Sequence, residues 1–437
     1  MLSSDLLALP ERFVCKEHVI ESMSRYWDSN LDHIVNLPIP EKIDISIELP
    51  LRLKEIKLPE WAAHCGIDGI ILVPEEVVGI GSDEWYNIDW WMVAFLYLEA
   101  WHERIFEVNN NSIHSYSFRL KNWDTRAWDY AWVNRIAMFF RSWAAKRVEL
   151  TEKELFGELP LAEIIMTHDV DAVDKTLAIR IKQAVFNSFN ALRALYKFRL
   201  KDFYKGIAHA FIFLFNKEDW WKLDEVITIE KEAGITSHFN FHTDQRPKKF
   251  KSWLFDPWYK IDNIHILDFI KRIKKSGFII GLHPGYDSWN NEILLRNQLR
   301  DLSTKIGESV TTCRQHWLRF SWIYTWCAQE QAGLQLDTTL MFNDRPGFRI
   351  SAAVKYHPWK SAESSLFKLS SLPTILMDSH FYDYRKLNNN EREIEMKKWI
   401  DEIRYVHGQA AVLWHPHTLT NTYGWKNGFI QLIKLIK

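Results

Sequence analysis

Two aspartates two residues apart, several histidines and one arginine, each placed just after a short apolar run, are the residues of this chain that could do chemistry. They fall in five polar islands: Thr167-His168-Asp169-Val170-Asp171, Gly281 to Asp287, Arg314-Gln315-His316, Leu336-Asp337-Thr338-Thr339 and Leu413-Trp414-His415. Carboxylates, imidazoles and an arginine delivered from successive strand ends are what a hydrolytic metal centre needs. On extended backbone Asp169 and Asp171 share a face, so one could bind a metal while the other takes a proton. His283 stands just past the run Phe278-Ile279-Ile280. Imidazole nitrogen and carboxylate oxygen together suit zinc and similar divalent ions.

The elements that must position these groups are legible as strand-like runs at 161–166, 234–241, 278–282, 309–313, 334–337 and 410–414. Helical patterns alternate with them. Ile264, Leu267, Ile270 and Ile273 recur every three residues, lysines crowd the last turns, and Gly277 supplies the stop. Such alternation predicts parallel strands with outer helices. The expected fold is α/β, a distorted or incomplete (β/α) barrel over residues 156–437 whose islands meet at one mouth. A smaller accessory α/β domain, residues 1–155, is expected before it, with strand-like pieces at 43–47 and 69–73 and an aromatic helix from Ile88 to Trp101. His102-Glu103 lacks the second histidine of H-E-x-x-H and is expected on a helix surface.

From about residue 160 onward the islands and their order resemble the polysaccharide deacetylase family, the NodB-homology domain of carbohydrate esterase family 4. The resemblance implies Asp169 as general base, Asp171 and His283 as metal ligands, Arg314 as the holder of the base carboxylate, Asp337 in the fourth motif and His415 as general acid. One position departs from the pattern: Asp287 stands where the family's H-x3-H pair has its second histidine. A His-plus-two-Asp site is more oxygen-rich and tolerates other divalent metals more readily. Asp287 ranks first for the third ligand, His316 second, and His238 and His242, which share a strand face with Asn240, behind both. Tyr286, Trp414, His316 and Asp337 are the expected substrate contacts.

The implied activity is a metal-dependent deacetylase, with zinc the expected ion, removing N-acetyl or O-acetyl groups from a saccharide in cell-surface polysaccharide biosynthesis. A catalytically inactive carbohydrate-binding protein on the same barrel is the alternative. A serine hydrolase comes last, because Ser371, Asp378 and His380 lie close together without a G-x-S-x-G elbow.

Composition fits a sizeable enzyme. A chain of 437 residues can bury a large core, and a net charge of −1 makes no electrostatic case for nucleic acid. The four cysteines form no C-x-x-C and are read as free thiols. No basic segment followed by an apolar core opens the chain, so a cytoplasmic location is expected. Most of the 22 tryptophans are expected in the core. The stretch 175–217 reads as a basic, aromatic helical insert, and basic residues flanking an apolar face can lay a helix on an anionic membrane. Peripheral contact with the inner membrane face and a lipid-linked saccharide substrate are expectations that follow.

Overall fold

Short apolar runs buried on both faces become the strands of one parallel sheet. The computed structural model describes residues 8–27, 29–40, 45–78, 83–111, 113, 115–196, 198–216, 218–244, 246–247, 249–385 and 387–437. Its first part carries helices α1 (Arg12–Ser22) and α2 (Leu31–Val35), an antiparallel hairpin of β1 (Leu53–Lys57) and β2 (Ile70–Pro74), and helices α3 (Trp90–Leu98), α4 (Trp101–Asn110), α5 (Trp132–Arg147) and α6 (Glu152–Phe156). Then come β3 (Glu163–Val170), the paired helices α7 (Leu177–Tyr196) and α8 (Leu200–Phe215), α9 (Leu223–Ala233), β4 (His238–Phe241), α10 (Phe250–Phe255), α11 (Ile264–Lys275), β5 (Ile279–Leu282) and α12 (Glu292–Ile306). The chain continues through β6 (Thr312–Cys313), α13 (Thr325–Ala332), β7 (Leu336–Asp337) and a small hairpin of β8 (Trp359–Lys360) and β9 (Ser365–Leu366). It ends with β10 (Ser370–Ser371), β11 (Thr374–Met377), α14 (Asn389–Tyr405), β12 (Gln409–Leu413) and α15 (Lys426–Ile436).

Eight strands pair in the order β10-β7-β6-β5-β4-β3-β12-β11, every pair parallel. The two edge strands are consecutive in sequence. Leu372 N donates to Asp337 O and Thr374 N to Leu340 O, so the 370–377 segment reaches from the β7 side of the sheet to β12 and curls it toward closure. The α/β class and the incomplete barrel expected from the sequence are therefore present. Parallel strands put all their carboxyl ends on one side, which is where the polar islands lie.

Several details differ from the sequence reading. The first strand runs on to Val170, carrying Asp169 inside the barrel, because Arg314 and Asn240 satisfy its carboxylate there. The short β10 and β11, flanking Pro373, were not anticipated. The aromatic stretch from Ile88 breaks at Ala100, whose φ of 44° ends α3 and starts α4. Ile43 and Asp44 lie outside the described residues, and 45–47 forms no strand.

His102 and Glu103 are buried rather than on a helix surface. His102 pairs with Glu76, and Glu103 accepts from Arg349 at 2.7 Å, tying α4 to the chain after β7. Other buried bonds cross the same way: Tyr26 donates to Val406 O, and Asn134 Nδ2 to Ala353 O at 2.9 Å. Apolar residues of α1, α3 and α5 belong to one continuous core with those of the barrel. Trp27, Trp90, Trp91, Trp101, Trp220, Trp326, Trp399 and Trp414 are almost wholly buried, as expected for most tryptophans. An aromatic of this size buries about 150–250 Å², on the order of 4–6 kcal/mol of gross transfer free energy at ~25 cal/mol/Å². Among the described residues, no helix is long and apolar enough to cross a membrane.

Arg135 and Glu402 test the junction between α5 and α14. Their bidentate pair, at 2.9 and 2.6 Å, is buried on both sides. Glu402→Ala, which strands a buried guanidinium, should cost about 3–5 kcal/mol of unfolding free energy. Replacing both residues by methionine should cost much less. Denaturant midpoints of the single and double variants check the difference.

Candidate functional site

The interior of the barrel is built around a fully buried arginine. Arg314, one residue past β6, donates through Nη1 to Thr167 Oγ1 at 2.8 Å and Asp169 Oδ1 at 3.2 Å. Its Nε donates to Thr338 O at 3.0 Å and its Nη2 to Thr374 Oγ1 at 2.9 Å. Asn240 Nδ2 adds a 2.8 Å bond to Asp169 Oδ1. Gly281 makes this possible: a Cβ there would fall 2.1 Å from Asn240 Oδ1. Burial alone would push the Asp169 carboxyl up; the Arg314 guanidinium, with His283 and His415, overcomes it and holds Asp169 below the ordinary carboxylate range.

Asp171, just beyond β3, faces three imidazoles. Its Oδ1 lies 3.3 Å from His283 Nε2 and 3.7 Å from His316 Nε2, and its Oδ2 lies 3.6 Å from His415 Nε2. Ligand atoms of Asp171, His283 and His316 all fall within 4.8 Å of one another. Each of these two rings is held from behind. His283 Nδ1 donates to Arg314 O at 2.8 Å, and His316 Nδ1 to Asp256 Oδ1 at 3.3 Å. Outer acceptors of this kind orient an imidazole so that its Nε2 lone pair is free for a metal.

The donor set passes a direct test of fit. Asp171 Oδ1 is buried and receives no well-formed hydrogen bond, which is costly for a carboxylate unless a cation sits against it. Burial would raise the Asp171 pKa, yet His283, whose Nε2 lies 3.3 Å away, and the charges of His316 and His415 drive it far below the usual range. His283 moves the other way: burial opposes its charge, but Asp169 and Asp171 outweigh that and raise it. The space between Asp171 and the two rings thus calls for positive charge. A divalent ion held by Asp171, His283 and His316 would supply it.

On the opposite side of Asp171 stands His415, past the end of β12. Asp378, one residue past β11 and fully buried, accepts from His415 N at 2.8 Å and from His415 Nδ1 at 2.9 Å. Burial disfavours the His415 charge, but the Asp378 carboxylate, with Asp171 and Asp169, lifts its pKa to about 10. Asn240 and Asp256 have no role in the sequence reading, and Asp378 enters it only in the serine-hydrolase alternative, beside Ser371 and His380. Asp378 did carry the shared signal, a strand end after the run Thr374-Ile375-Leu376-Met377; Asp256, at the end of α10, carried none.

Several expected site residues are not brought to this group. Asp287 is half exposed and its carboxylate takes a 3.1 Å bond from Arg319, so the position ranked second, His316, is the one beside Asp171 and His283. Asp337 faces outward from β7 into α13, accepting from Gln329 Nε2 at 2.9 Å and Trp326 Nε1 at 3.2 Å. Burial raises its pKa. Trp414 is fully buried against Phe429 and Tyr382, on the side away from the mouth. His238 is buried within β4, and His242 directs Nδ1 to His283 O at 3.2 Å. Tyr286 does lie at the rim: its N donates to Asp256 Oδ1 at 2.7 Å and its ring stacks on Phe255 at 4.4 Å. Trp317, with a φ of 59°, sets its ring edge-on to Phe255. Ser371, Asp378 and His380 form no triad, since His380 Nε2 donates to Phe342 O and Asp378 serves His415.

No protein-family model matches this chain, and no curated protein sequence does. Among solved structures it is similar to a putative polysaccharide deacetylase from Mycobacterium smegmatis, with 15% identity and a TM-score of 0.35 over 61% of this chain and 82% of that one. It is also similar to a 4-alpha-glucanotransferase from Thermococcus litoralis, at 11% identity and a TM-score of 0.32 over 63% of this chain and 37% of that one. A third similarity is to BA3943, a CE4 family pseudoenzyme from Bacillus anthracis, at 12% identity and a TM-score of 0.27 over 63% and 61%. Overlaps of this extent leave the reading of the site to its own geometry.

Proposed function

We propose that this chain is a metal-dependent hydrolase that removes acetyl groups from an N-acetylated, or O-acetylated, saccharide. The observation that carries the reading is Asp171 Oδ1, buried without a proper hydrogen bond and faced by the Nε2 atoms of His283 and His316. A divalent ion bound there, zinc being the expected one, supplies Lewis acidity toward a carbonyl and acidifies a bound water. Asp169 receives the water proton. Its Oδ1 is occupied by Asn240 and Arg314, which keep the carboxylate ionised and leave Oδ2 to act. His415, with Asp378 on Nδ1, gives a proton from Nε2 to the departing amine or alcohol.

Substrate contacts follow from what surrounds these groups. Trp317, 43% exposed and beside His316, offers an aromatic surface of the type on which a sugar ring packs, backed by the stacked pair of Phe255 and Tyr286. Leu318, Met341, Met377 and Leu413 form a separate buried apolar cluster, two of its members next to Asp378 and Trp414-His415 in sequence. Such a wall suits an acetyl methyl.

Metal content and turnover, measured together, separate the roles. Asp171→Ala and His316→Ala should lose the bound metal and the deacetylase activity, whereas Asp287→Ala should keep both. Asp169→Asn should keep the metal while turnover falls ~10²–10⁴-fold, the usual contribution of a general base. Asp378→Asn should likewise spare metal and lower kcat more than KM. A wild-type protein that takes up no divalent ion, or an Asp171→Ala variant that binds it as tightly, rejects the reading and leaves a carbohydrate-binding barrel in its place.

A further inference from the structure

The hairpin of α7 and α8 is packed inside out for a protein in water. Small residues lie between its two helices: Ala184, Ala191 and Ala210 are buried, and a Cβ on Gly206 would fall 2.8 Å from Ala191 Cβ. Large apolar residues lie outside. Val185, Phe189, Leu192, Phe211 and Phe215 are each exposed by more than half, and the turn between the helices presents Tyr196 and Phe198 at 86% and 93% exposure. Phe198 holds this position with a φ of 56°, a conformation bulky residues avoid. Small residues between helices and large ones outward is the arrangement of helices that meet lipid.

Charge points to the kind of surface. From Leu177 to Phe215 the chain carries seven lysines and arginines and one acid, Asp202, in a protein whose total charge is −1. Arg193, Arg199, Lys201 and Lys205 cluster around the apolar turn and are exposed. An apolar tip ringed by cations matches the interface of an anionic bilayer, where acyl chains lie beneath phosphate groups. Neither helix qualifies as a membrane span, so the contact is peripheral.

The hairpin is also anchored at the candidate site. α7 begins six residues after Asp171. Lys175 Nζ donates to Asn216 O at 3.0 Å, closing the hairpin base. Phe213 packs on Tyr423, Tyr423 on His417, and His417 lies 5.7 Å from His415.

We propose that α7 and α8 form a membrane-docking hairpin that sets its apolar outer face and tip into an anionic lipid surface and so holds the barrel mouth at the bilayer. Resting on the deacetylase reading, one consequence concerns substrate: the saccharide is carried on a lipid. Docking itself is independent of that reading. The test is flotation of the full-length protein with vesicles of phosphatidylcholine alone or mixed with phosphatidylglycerol. The protein should float with the anionic vesicles and release at high salt. Tyr196→Ser/Phe198→Ser/Leu200→Ser should reduce the floating fraction ~10-fold or more with circular dichroism unchanged. Arg193→Glu/Arg199→Glu/Lys201→Glu/Lys205→Glu should abolish the response to phosphatidylglycerol. Wild-type protein that stays soluble with anionic vesicles overturns the proposal, as does flotation that the triple serine variant retains. A stable dimer that this variant dissociates, without flotation, overturns it in favour of a second copy covering the same face. An inactive protein that floats leaves docking standing and removes the deacetylase reading; an active one that does not float does the reverse.

Discussion

Arg314 is the interaction on which the barrel and its site both depend. A guanidinium with no exposure to solvent needs acceptors for its fixed fork of donors. It finds them on β3 through Thr167 and Asp169, beyond β7 through Thr338 O, and on β11 through Thr374. Those segments include both sides of the gap between β10 and β11, where strand pairing is interrupted. Thr374 Oγ1 bonds Thr338 O at 2.8 Å across the same place. One buried cation thus supports the curl of the sheet, fixes the ionisation of Asp169 and, through its own carbonyl, orients His283.

The imidazoles show how a second layer decides what a first layer can do. His283 leans on Arg314 O, His316 on Asp256 and His415 on Asp378. A carbonyl behind His283 holds the Nδ1 proton and turns Nε2 toward Asp171, the orientation suited to binding an ion. A fully buried carboxylate behind His415 favours the charged ring, suited to giving a proton. The same side-chain type serves two kinds of chemistry because its partner differs.

Aromatic residues are likewise put to two uses. In α3, α5 and the barrel they fill a continuous core, with Trp91 stacked on Phe140 at 4.0 Å. On α7 and α8 they face outward around a seam of alanine and glycine. The hydrophobic effect alone would bury those rings between the helices, and their outward placement is the observation on which the proposed lipid docking rests.

Local sequence pattern carries much of this protein's organisation. Apolar runs ending in Asp, His or Arg marked the strands and the mouth, because a parallel strand is buried along its length and meets solvent only at its end. Asp169, Asp171, His283, Arg314 and His415 were legible on that ground. β10, a Ser370-Ser371 pair with no apolar run of its own, gave no strand signal, and single carboxylates such as Asp256 and Asp378 gave no sign that they would hold His316 and His415. The neighbour of Asp171 and His283 was also beyond sequence spacing. Asp287 sits four residues from His283 but turns to Arg319, while His316 arrives from the adjacent strand end, 33 residues later in the chain. Spacing along a chain constrains neighbours only within one element. Which side chains meet across strands is set by register and by where each finds a partner for its charge, and only the tertiary structure decides that.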